Sequence, residues 1–237
     1  MKRTILGFVL AACIALPTVA AAQVHGVYIA PKFLFGIQDT GQISGGEYSG
    51  VKLITQHSQA VFGGALAVGF NFAPKFDIPV RAEFEYALRS NSSHSKNGTH
   101  VTKNDEKVGW SSKHSLNITT LFVNAYFDID TGTAITPFVG AGLGMSFISN
   151  KVSGNAQGFN VRYSRIFNHN SNDSYFAWNL GAGVSYTLTE NIALDLGYRF
   201  MATGYYEVKQ AADGGESVKG GSNPYINELY LGARFTF

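Results

Sequence analysis

The chain has 237 residues, of which 45% are hydrophobic, 14% aromatic and 14% charged, with 27 glycines, 6 prolines and a formal charge of +2. So weak a charge gives little support to a nucleic-acid partner, and the length bounds the chain to one sizeable domain or two small ones. After the first 22 residues no apolar run is long enough for a helical membrane span.

In chain order, MKRTILGFVLAACIALPTVAAAQ comes first and reads as an export signal. Lys2 and Arg3 are its basic start, Ile5 to Leu16 its apolar stretch, and Ala20 and Ala22 the small-residue cleavage site before Gln23. Residues 1–22 are therefore expected to be a signal peptide and 23–237 a single barrel domain. Removing Lys2 and Arg3 leaves 16 basic against 16 acidic side chains. Cys13 is the only cysteine, and its Leu10-Ala11-Ala12-Cys13 setting resembles a bacterial lipobox, so lipidation at Cys13 stands as the alternative to cleavage after Ala22. A mature chain without cysteine has no disulfide to stabilise it outside the cytoplasm.

Beyond the signal, apolar residues recur every second position in eight segments, near 26–37, 60–72, 79–89, 115–129, 137–149, 175–188, 192–204 and 224–237. In the second, Phe62, Leu66, Val68, Phe70 and Phe72 oppose Gly63, Ala65, Ala67, Gly69 and Asn71. In the fifth, Val139, Ala141, Leu143, Met145 and Phe147 oppose three glycines and Ser146. In the sixth, Phe176, Trp178, Leu180, Val184, Tyr186 and Leu188 oppose small or polar residues. The connections alternate in length: 38–59, 90–114, 150–174 and 205–223 are long and polar, whereas 73–78, 130–136 and 189–191 are brief.

Charges decide which face looks where. The face opposite the apolar one carries Lys32, Arg81, Glu83, Glu85, Arg89, Asp128, Asp195, Arg199, Glu228 and Arg234, five bases and five acids among small neighbours. Sparse, balanced charges suit a confined interior where each must pair to offset its desolvation, so the apolar face is expected to meet lipid. These features predict an all-β fold: an eight-stranded antiparallel up-and-down transmembrane β-barrel, with four long extracellular loops and short periplasmic turns. Leu196 is expected on the lipid face and Gly183 on the lumen face, so that Leu196→Arg costs roughly 2–4 kcal/mol and Gly183→Ser is tolerated far better. Aromatics near both segment ends, such as Phe76, Phe127 and Tyr186 at one and Phe35, Phe62 and Phe176 at the other, fit two lipid interfaces.

PFVGAGLG at 137–144, LDLGYRFM at 194–201 and NELYLGARFTF at 227–237 resemble the opacity-protein-like family of small eight-stranded bacterial outer-membrane β-barrel proteins. The resemblance implies an integral location in the Gram-negative outer membrane, among lipid and lipopolysaccharide. It also implies that Leu229, Leu231, Ala233, Phe235 and Phe237 form the signal read by the outer-membrane assembly machinery. Members of that family include host-cell adhesins, so a surface protein binding host or surface ligands through its loops is expected, with no cofactor and no catalysis.

Among candidate binding residues, Lys96, Lys103, Lys107 and Lys113 outnumber Asp105 and Glu106 in the second long loop and favour a host or surface polyanion. The histidines His94, His100 and His114 share that loop at spacings that match no metal motif. Two alternatives remain open at this point. The charged lumen allows a narrow ion-conducting pore, and His114 beside Ser115 allows a lipid A-modifying enzyme, although adjacent strand residues face opposite ways.

Overall fold

The computed structural model describes residues 26–39, 43–45, 47–48, 51–52, 58–101, 107–158, 164–211 and 217–237. The expected signal peptide with Cys13, together with Lys103, lies outside the described residues. Eight long strands run antiparallel: β1 (Val27–Asp39), β2 (Ser58–Asn71), β3 (Val80–Arg89), β4 (Lys107–Asp128), β5 (Ile135–Gly158), β6 (Ser164–Thr189), β7 (Ile192–Ala202) and β8 (Tyr225–Thr236). Each pairs with its sequence neighbours, and β8 returns to β1 with Tyr28 opposite Thr236 and Asp39 opposite Tyr225, so the sheet closes. Closure satisfies the backbone without an exposed edge, which a hydrocarbon surrounding requires.

The connections at one end are tight. A single helical turn, α1 (Ala73–Phe76), joins β2 to β3, with Pro74 in its first turn and Asp77 in the left-handed region at its end. Between β4 and β5, the Gly132 N–H donates to Asp130 Oδ1 at 2.9 Å, and Gly132 has φ +66. Between β6 and β7, the Asn191 side-chain amide donates to the Thr236 carbonyl at 3.0 Å, tying that turn to β8.

The faces fall as the charge argument requires. Phe62, Leu66, Val68, Leu143, Leu180, Leu196 and Leu231 are exposed on the outside, Phe176 by 64%, whereas Ala67, Ala177, Asn179 and Ser146 are buried inside. An exposed apolar surface that encircles the barrel is tolerable only against lipid. Rings cluster on this surface at both ends: Phe70, Phe72 and Phe76 meet beside α1, and Trp178, Phe200 and Tyr225 meet at the opposite end.

Inside, glycines make room for rings. Tyr28 lies across from Gly69, Tyr126 from Gly140, Phe138 from Gly183 and Tyr230 from Gly197. A β-carbon at any of these glycines would come within 2.6 Å of the facing ring. At Gly183 it would stand 2.4 Å from the Leu196 carbonyl oxygen and 2.5 Å from Phe138 Cζ, so the expected tolerance of Ser there is corrected: the site is on the lumen face but already full.

The strands also run further than the period-two pattern indicates. β4, β5 and β6 hold 22, 24 and 26 residues, and their ladders continue unbroken through much of 107–116, 148–158 and 164–174. Past Ala87 the partner of β4 changes from β3 to a further strand, Ser92–Val101, which pairs from Ser92 opposite Leu116 to Val101 opposite Lys107. These four strands form an arm that projects beyond the lipid-facing belt. Its residues read as loop because its outward face carries Ser, Asn and Lys where the belt carries Leu and Phe, so the apolar stripe that marks a lipid-facing strand stops while the backbone ladder continues.

Candidate functional site

All ten charged residues of the inner face point into the lumen, eight of them as fully buried residues and Asp128 and Arg234 at its turn end with side chains 16% and 11% exposed. They divide into two groups, each with balanced charge. In the upper one, Arg89 Nε and Nη2 donate to the two Glu228 oxygens at 2.7 and 3.0 Å, and Arg199 links Glu228 to Glu85 through contacts of 2.7 and 2.6 Å. Lys32 then joins Glu85 at 2.8 Å to Glu83 at 2.6 Å, and Tyr28 Oη donates to Glu83 at 3.2 Å.

The lower group holds Arg81, Asp128, Asp195 and Arg234. Arg81 grips Asp128 through Nε and Nη2 at 2.7 to 3.0 Å and lies 3.5 Å from Asp195, which in turn sits 3.6 Å from Arg234. Between the groups the rings of Tyr126, Phe138 and Tyr230 take up the cations: Arg81 stacks 5.0 Å from both Tyr126 and Phe138, and Lys32 lies 5.2 Å from Tyr230.

One layer of the lumen was not legible beforehand. Leu116, Ile118, Phe122, Ile148, Met201 and Ile226 form a buried apolar cluster at the loop end, above the upper charged group. Strand β8 samples the whole stack through its inward residues, with Ile226 in the apolar layer, Glu228 in the upper group, Tyr230 in the aromatic layer and Arg234 in the lower group. The signal available in the sequence was the pair Leu116 and Ile118, apolar residues at even positions on a face otherwise taken as small or polar.

Of the residues named for outer-membrane assembly, Leu229, Leu231 and Phe235 are exposed on the outer face of β8, Phe237 is exposed just past its end, and Ala233 is half-buried between them. Of the four lysines of the second long loop, Lys103 lies outside the described residues and the other three are placed by register. Lys113 is exposed on the arm opposite Ser95, while Lys96 pairs with Ser112 and so falls on the other face. Lys107 shares the register face of Lys113 at the far end of the arm. His114 lies across from His94, and the Ser93 hydroxyl donates to Ser115 at 3.1 Å, placing Ser115 on the opposite register face from His114.

The arrangement can hold a rigid barrel in lipid and present a polar sheet above it. Known proteins with similar sequences or structures are outer-membrane barrels. The family model for the outer membrane protein beta-barrel domain matches residues 6–237. Outer membrane protein PagN of Salmonella typhimurium is 28% identical over 229 residues, covering 92% of each chain. A candidate adhesin of Rickettsia bellii is 27% identical over 177 residues, 73% of this chain and 72% of its own. Among solved structures, a major outer membrane protein of Thermus thermophilus has a TM-score of 0.47 at 16% identity, over 87% of this chain and 99% of that one. Neisserial surface protein A has a TM-score of 0.46 at 18% identity, over 90% and 97%.

Proposed function

Because the chain belongs to the outer membrane protein β-barrel family, as a small barrel of opacity type integral to the outer membrane, we propose that it works by binding. In this reading it is a surface-exposed, adhesin-like protein that engages host or surface ligands, polyanions among them, through the arm and loops. The observation that carries the reading is the arm itself: strands β4, β5 and β6 continue well past the lipid-facing belt, where only a function outside the membrane makes use of so much ordered sheet. The name of the Rickettsia bellii relative supports it from outside the chain.

Within the same reading, residues 1–22 direct export, and the outer face of β8 from Leu229 to Phe237 is what the assembly machinery engages. Lipopolysaccharide surrounds the barrel. The ten lumen charges hold the strands in register and conduct nothing; the buried apolar layer above them supports this over a pore. The opposite register faces of His114 and Ser115 likewise favour binding over catalysis.

The test is attachment. A non-adherent strain expresses the full chain, or a version in which residues 93–115 and 150–171 are each replaced by an Asn-Gly turn between the register partners Ser92 and Leu116 and Ser149 and Asn172, at matched surface levels. Attachment to cultured epithelial cells and to heparin-coated beads is counted, and it should fall to background in the trimmed barrel. Unchanged attachment with the arm removed overturns the reading.

A further inference from the structure

The outer face of the arm continues the lipid-facing surface without a break in register, and its chemistry changes abruptly. On β5 the outward sequence passes from Leu143, Met145 and Phe147 to Ser149, Lys151 and Ser153. On β4 it passes from Val123 and Leu121 up to Ser115 and Lys113. Ser115 is the partner of Lys151 and Ser153 the partner of Lys113, so the two exposed lysines are diagonal neighbours on adjacent strands, a spacing of roughly 7–8 Å. Among the described residues of this face above Phe147 and Phe176 there is no carboxylate; most of the other positions are Ser, Asn, Thr and Gly, with Ser95, Ser153 and Asn170 beside the lysines.

We propose that this face seats the phosphorylated sugar head groups of lipopolysaccharide in the protein's own membrane, with Lys113 and Lys151 as the phosphate contacts. Two ammonium groups held as neighbours without a carboxylate on their face repel each other, and an anion between them reverses the sign of that interaction. Height selects which anion. Lys151 stands four residues beyond Phe147, about 13 Å along the strand and roughly 10 Å above that ring at the tilt usual for such barrels. That is the level of the head groups, and the face looks sideways into the leaflet rather than outward to another cell. Flat rows of hydroxyl and amide side chains supply donors and acceptors for the sugars, while the exposed Phe147 and Phe176 below contact the acyl chains. The inference rests on the extracellular placement of the arm, but not on its ability to attach to other cells.

The experiment uses the full chain in phosphatidylcholine nanodiscs containing graded amounts of purified lipopolysaccharide, and reads the temperature at which gel mobility shifts from the folded to the unfolded band. Lipopolysaccharide should raise that temperature. In Lys113→Gln/Lys151→Gln the rise should need about twenty-five-fold more lipopolysaccharide, the product of about five-fold for each lysine near an anionic membrane surface. Lys113→Arg/Lys151→Arg should respond like the unmodified chain, which separates lost binding from lost folding. Lipopolysaccharide stripped of its phosphates should have little effect. An unaltered response in the Gln pair, or a full response to the stripped form, overturns the proposal. If attachment to cells and heparin persists while the lipopolysaccharide response is absent, this inference falls and the adhesin reading stands. The reverse result leaves the inference and removes that reading.

Discussion

Gly197 lies directly across from Tyr230, and a β-carbon on it would come 2.4 Å from the ring's Cζ and 2.5 Å from its hydroxyl oxygen. The absent side chain lets the ring lie against the β7 backbone, where the Arg199 guanidinium is 5.6 Å and the Lys32 ammonium 5.2 Å from its centre. Gly197→Val should therefore displace Tyr230 and loosen both cations, destabilising the barrel by roughly 1–3 kcal/mol through overpacking. Urea unfolding in lipid vesicles measures this, and a variant as stable as the unmodified chain would show that the ring has room to spare.

The upper charged group makes a sharper claim. Glu228 receives both Arg89 and Arg199 with its carboxylate buried. Glu228→Gln leaves the lumen with an unbalanced positive charge, and removing one member of a buried pair costs roughly 3–5 kcal/mol. Glu228→Gln combined with Arg89→Met restores the balance and should recover part of that loss. The same urea midpoints check it, and a double variant weaker than the single by the full cost of Arg89→Met alone would mean that charge balance is not what holds this layer.

The period-two alternation made the eight strands and the sidedness of the barrel legible, because lipid outside and a packed lumen inside impose opposite chemistry on neighbouring residues. It also pointed to the ten charges, since residues such as Glu85 and Arg199 sit at alternate positions among Gly and Ala. Their pairing was beyond it: Glu85 meets Arg199 across 114 positions of chain, and tilt and register decide that contact. The arm was hidden for a different reason. Where Ser111 and Lys113 or Ser149 and Lys151 follow one another on the outward face, polar side chains replace the apolar stripe by which a lipid-facing strand is recognised. The tolerance expected of Gly183 failed because small size on the lumen face means contact with Phe138, not free space.

Leu196 offers the cleanest test of the faces. It is 53% exposed on the outside of β7, opposite Leu231 on β8 and Val184 on β6, in the middle of the apolar belt. Leu196→Arg should cost roughly 2–4 kcal/mol in a bilayer, whereas Leu196→Met, still apolar, should cost little. Equal stability of the two in vesicle unfolding would place this face in water.

The lumen makes the last prediction, about ion flow. An ion entering from the loop end meets Leu116, Ile118, Ile148, Met201 and Ile226, a layer with no charge to replace its hydration. Below this layer every charge already has a partner at 2.6 to 3.6 Å, so passage would require ion pairs to open in succession. The purified barrel should give no regular single-channel steps in a planar bilayer. Thinning the cap alone, with Met201→Ala and Ile226→Ala, should leave it closed, because the paired charges beneath still block the path. Opening the upper group as well, with Arg89→Ala and Glu228→Ala removed together as a neutral pair, should produce brief, small conductances. Steps in the unmodified chain that respond to Glu85→Gln would instead make the lumen a conduction path.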